Sequence, residues 1–161
     1  MRPVRTSLAV ACLGAALALL AGCGRGEPTT PDACFEGPGA YERALAAAPG
    51  EVRVGGETLI SECLAERQQG GELAQVGEAL VQAATRLNAE AREDPGAQAN
   101  LELGYLLGAA KRGAEETQGI HSELLRRLEV AARFSPGAEP PLPPDFRAAY
   151  ERGFDAGLES G

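Results

Sequence analysis

The chain has 161 residues, 44% of them hydrophobic, with 15 Lys+Arg against 23 Asp+Glu and a formal net charge of −8. That length suits one domain beyond any processed segment, and the acidic balance argues against gripping nucleic-acid backbones or anionic lipid by bulk electrostatics. One histidine and no CxxC pair leave nothing from which to build a multi-histidine or zinc-ribbon metal centre.

Arg2 and Arg5 open the chain and an apolar run rich in Ala and Leu follows from Leu8 to Leu20, the pattern of a signal-peptide core. The run falls short of the about 20 residues that a permanent membrane-spanning helix needs and stops at small residues, so cleavage is expected. Leu20-Ala21-Gly22-Cys23 resembles the lipobox of bacterial lipoproteins. In that family the signal peptide is cut just before the cysteine, the thiol receives a diacylglyceryl group, and the new amino terminus is usually acylated, commonly with palmitate. The resemblance implies cleavage between Gly22 and Cys23, lipid on Cys23, and a place on the extracytoplasmic face of a bacterial membrane, where two or three acyl chains hold far more firmly than one. Removal of residues 1–22 takes two basic residues and no acid, so the mature chain is more acidic still.

Residues 24–31 offer nothing apolar to bury and are rich in Gly, Pro and Thr, so residues 23–33 read as a lipidated flexible tether. With Cys12 removed and Cys23 lipidated, as the resemblance implies, Cys34 and Cys63 remain together in an oxidising compartment, and a disulfide between them is expected.

Pro38 to Ala48 reads as a short helix with Tyr41, Leu45 and Ala48 on one face. Val52 to Ile60 alternates β-branched residues around Gly55-Gly56, the signature of one short β-hairpin. Ser61 is placed to cap a helix from Glu62 to Gln69, ended by Gly70-Gly71. From Glu72 to Glu93 the stripe Leu73, Val76, Leu80, Ala83, Leu87, Ala91 predicts an amphipathic helix, and Asp94-Pro95 ends it. The next helix is expected over 96–112. It carries Gly104 and Gly108 four residues apart, each costing about 1 kcal/mol relative to Ala, which points to close approach by a neighbouring element or a ligand. Residues 113–117 read as a turn, and Thr117 as the cap of a helix from Gln118 to Phe134 with the stripe Ile120, Leu124, Leu128, Ala131. Residues 136–144 form a proline-rich spacer. A last amphipathic helix over 145–161 repeats Phe146, Tyr150, Phe154 and Leu158 every four residues beside Gly153 and Gly157. This stripe can complete the core or enter a groove on a partner protein.

Catalytic constellations are sparse. His121 follows Gln118, not a glutamate, which denies it the ExxH pattern of di-iron bundles, and it reads as a surface or cap residue. Ser61, Ser122, Ser135 and Ser160 lack a nucleophile-elbow frame. Glu115-Glu116 reads as a solvated acidic pair in a turn, and Arg126-Arg127 is too small a basic cluster for nucleic acid. No phosphate loop, dinucleotide fingerprint, EF-hand loop or haem motif occurs.

The expectation is a mainly all-α domain over residues 34–135, a bundle of four to five helices with one disulfide and room for one hairpin, anchored to the membrane through Cys23. It would act as a non-enzymatic protein-binding or structural module of the cell envelope, without catalytic residues, metal or cofactor, meeting an envelope protein through Phe146, Tyr150, Phe154 and Leu158. A small-molecule-binding lipoprotein, such as a transporter-associated receptor, would need a deep apolar pocket at Gly104 and Gly108. A carboxylate-dependent hydrolase would need two glutamates converging in a cleft.

Overall fold

The computed structural model describes residues 29–94, 98–133 and 144–161. The expected signal segment, Gly22, Cys23 and most of the expected proline-rich spacer lie outside the described residues.

Among the described residues five helices make the fold: α1 (Pro38–Leu45), α2 (Gly70–Glu93), α3 (Gln98–Glu116), α4 (Ser122–Ala131) and α5 (Pro144–Ser160), with short 3-10 turns at Asp32–Phe35 and Ser61–Cys63. Helices α2 and α4 run parallel, since Gly77 faces Leu124 and Asn88 donates to the Ala131 carbonyl at 2.6 Å. Helices α3 and α5 run parallel to each other in the opposite sense, giving an up-down-up-down bundle with α1 on its flank, where Arg86 pairs with Glu42 at 3.0 Å.

Helix α3 is the central element. From Ala99 to Ala110 every residue except Glu102 is buried, so the apolar side expected from Leu103, Leu106, Leu107 and Ala110 widens to the whole circumference, as a helix surrounded by others requires. The helix runs on through Gly113, where a turn was expected. A Cβ on Gly113 would stand 2.6 Å from the Ser61 carbonyl; the glycine is there for close packing, not to stop the helix.

Cys34 and Cys63 form the disulfide, with Cα atoms 5.5 Å apart, and the Tyr41 hydroxyl donates to the Cys34 carbonyl at 2.9 Å. The expected hairpin contracts to one antiparallel bridge, Val54 with Thr58, around Gly55 and Gly56 at φ 62° and 86°. Val52 and Ile60 are fully buried in the core and do not extend the ladder.

Three helix boundaries differ from expectation for local reasons. The 62–69 helix is replaced by the 3-10 turn, because the Cys63 carbonyl accepts from the Gln68 side-chain amide at 3.0 Å. Gly70-Gly71 opens α2 where it was expected to close the preceding helix: the Glu72 carboxylate accepts from the Gln69 main-chain N–H at 3.2 Å, half of a capping box. Thr117 caps nothing. Its hydroxyl lies 3.0 Å from the Ala114 carbonyl, Gln118 and Gly119 turn through φ 51° and 90°, and α4 starts only at Ser122. Ile120 leaves the predicted stripe and is 43% exposed, while Leu124 and Leu128 are buried.

Candidate functional site

The expected partner-binding stripe lies along α5, and α5 lies along α3. The two helices meet at glycines on both sides. A Cβ on Gly104 or Gly108 would overlap the carbonyl oxygens of Tyr150 or Phe154, and one on Gly153 or Gly157 those of Leu101 or Tyr105. Each glycine therefore points an Hα at a carbonyl across the interface, the arrangement of weak Cα–H···O contacts. Side chains latch both ends. Asn100 Nδ2 donates to the Phe146 carbonyl; Arg112 donates to the Glu159 carbonyl at 2.6 Å and Ser61 Oγ to that of Gly161 at 2.6 Å.

Phe146 is buried by this docking, whereas Tyr150, Phe154 and Leu158 are half-buried. The Tyr150 and Phe154 rings lie 6.4 Å apart, and Lys111 Nζ stands 5.7 Å from the Phe154 ring centre, within cation–π range. Burial first, and the Glu129 charge second, push the Tyr150 hydroxyl up to about 12, so it stays a neutral donor. The outer edge of these three side chains is what a partner could touch; Phe146 is core. The pocket that a small-molecule receptor would need over Gly104 and Gly108 is filled by α5 backbone.

His121 is corrected from a surface or cap residue to a fully buried one. It occupies the N-cap position of α4 without capping and belongs to a polar relay that joins distant segments. Gln68 Nε2 donates to Thr30 Oγ1 and to the Cys63 carbonyl, both at 3.0 Å. Because a carbonyl only accepts, the Gln68 amide orientation follows, and its oxygen receives the His121 Nε2 hydrogen at 2.9 Å. The neutral ring then accepts at Nδ1 from the Thr117 hydroxyl at 2.8 Å. Burial holds the imidazole below its usual pKa, in keeping with that neutral tautomer. Both ring nitrogens are occupied, so the group pins structure and is not free for proton transfer. Thr117 and His121, four apart, were the one local signal; Gln68 and Thr30 carried none.

Thr30, which the sequence placed in the tether, is 7% exposed and accepts from Gln68 in this relay.

Glu115 and Glu116 sit on the last turn of α3, not in a turn, with Lys111 at 3.8 Å and Arg112 at 3.9 Å as i,i+4 partners. Glu102 is raised above the usual carboxylate range, by burial first and by Glu90 second, but Glu90 is exposed on α2. Arg126 is held by Glu123 at 2.6 Å. With Arg127 it rims a depression of about 260 Å³ floored by Val81, Val130 and Ala131; Val130 is 50% exposed, so the hollow is too open to enclose a ligand. Of the serines, Ser61 and Ser160 donate to main-chain carbonyls, Ser122 is exposed, and Ser135 lies outside the described residues. Among the described residues, no three His, Cys, Asp or Glu side chains gather to hold a metal, and no helix is long and apolar enough to cross a membrane. Comparison with protein-family models, with curated proteins and with solved structures returned no match to this chain.

Proposed function

We propose that the protein is a lipoprotein of the bacterial cell envelope, tethered through Cys23 on the extracytoplasmic face of a membrane, whose helical domain is a non-enzymatic binding or structural module. The Cys34–Cys63 disulfide carries this reading, because such bonds persist in the oxidising space outside the cytoplasm and the lipobox resemblance sends the chain there. The half-buried edge of Tyr150, Phe154 and Leu158 is the contact surface for an envelope protein.

The anchor is tested by Cys23→Ser, which should abolish the lipid mass on the mature chain and move it from the membrane to the soluble fraction; unchanged lipid labelling overturns the reading. The contact surface is tested by a photo-crosslinking residue at Leu158 in the lipidated protein. A discrete adduct at Leu158 and none at Glu78, exposed on α2, is expected; equal yields at both overturn the assignment. Deletion of α5 is a poor test, since it would strip the central helix of its cover.

A further inference from the structure

Resting on the lipid anchor at Cys23, we infer that the bundle stands end-on over the bilayer, with the end formed by the starts of α2 and α4 facing lipid and Ile120 in contact with it.

Tether length carries the argument. Thr30 is packed against Gln68, and its hydroxyl lies 3.4 Å from Glu72 in the first turn of α2. Seven residue steps separate it from Cys23, at most about 25 Å of fully extended chain. Helix α2 has 24 residues, about 36 Å from end to end. If the Glu93 end faced the bilayer, Thr30 would stand farther away than the tether reaches. The inverted orientation is excluded, and only end-on and side-on ones remain.

The surface favours end-on. The 2.9 Å bond between Gln68 and His121 sets the turn before α2 beside the turn before α4. Between them they expose a ledge of uncharged residues, Gln69, Gly70, Gly71, Gln118, Gly119 and Ile120, bordered by the exposed Glu66 and Arg67, with Gln118 donating to the Glu66 carboxylate at 3.3 Å. Ile120 is one of two large hydrophobic side chains exposed among the described residues, and it sits on this ledge. Glu62, Glu66, Glu115 and Glu116 flank it at the same end and outnumber the neighbouring Arg67, so the contact is shallow, at headgroup depth, and suits zwitterionic better than anionic lipid.

The test places an environment-sensitive fluorophore on single cysteines at Ile120, Glu93, Gln82 or Arg152 in the lipidated, disulfide-intact protein. Each is reconstituted in phosphatidylcholine vesicles containing brominated acyl chains. Several-fold stronger quenching at Ile120 than at the other three is expected, weakening as anionic lipid replaces phosphatidylcholine. Vesicle-bound protein quenched most at Gln82 or Arg152 lies side-on, and quenching equal at all four sites means no fixed orientation; either overturns the inference while leaving the anchor intact. Protein that neither floats with vesicles nor carries lipid mass overturns the anchor, and the inference falls with it.

Discussion

Gly104, Gly108, Gly153 and Gly157 invert the usual effect of removing glycine from a helix. In an isolated helix Gly→Ala gains about 1 kcal/mol, yet here each methyl would meet backbone, which cannot swing aside. Overpacking of that kind costs about 1–3 kcal/mol, so Gly104→Ala and Gly157→Ala should lower the midpoint of urea unfolding. Gly71, with open space around its Cβ position, is the control: Gly71→Ala should raise the midpoint slightly. If all three shift alike, helix propensity and not the interface sets their effect. His121 gives a second expectation. Its folded pKa lies below the unfolded value of about 6.5, so the unfolded chain binds the extra proton first as pH falls. Its contribution to stability is complete above that pH and declines below it. His121→Gln should flatten the decline of thermal midpoint between neutral and mildly acid pH; an equally steep decline assigns it to other groups.

The helices were legible where periodicity and length agreed, and boundaries failed where one residue type has two meanings. The stripe from Leu73 to Ala91 gave α2 to within a turn. Gly113 and Gly70-Gly71 were read as stops because glycine commonly ends helices, but one is a close-packing site on Ser61 and the other begins a helix whose cap is a glutamate side chain. The glycine pair in α3 did announce close approach, whereas the pair in α5 read only as neighbours of the aromatic stripe. That the two faced each other was beyond one sequence, since each pair could equally admit a third element. His121 was illegible for a related reason: its partner Gln68 lies 53 positions away, and no local pattern marks a glutamine that turns inward. The disulfide fastens the least regular part, the segments before α1 and before α2. Closing a loop across a separation of 29 residues stabilises by about 3.5 kcal/mol on the chain-entropy argument. Cys34→Ala with Cys63→Ala should therefore lower unfolding free energy by that order while far-ultraviolet circular dichroism keeps its helical shape. Loss of the helical signal would mean that the bundle cannot hold without the bond.

On the scale of the whole molecule, the proposed anchor and the architecture meet at one end. The 3-10 turn at Ser61–Cys63 bonds to Gly161 beyond α5, backs onto Gly113 of α3, and is joined through Gln68 to Thr30 and His121. The proposed tether would thus pull on the part of the fold where the most elements are tied together, and the seven residue steps between Cys23 and Thr30 would limit rotation of the rest. Lengthening it separates the two contributions to orientation. Ten Gly/Ser residues inserted after Gly26 add up to about 35 Å of extended chain, enough to let the Glu93 end reach lipid. What then remains is the contact at Ile120, where burying one half-exposed aliphatic side chain is worth about 1 kcal/mol. Quenching of the Ile120 probe should therefore fall, and that of the Glu93 probe rise, without the two becoming equal. An unchanged ratio would show that the uncharged ledge alone orients the bundle; full equality would show that the short tether does.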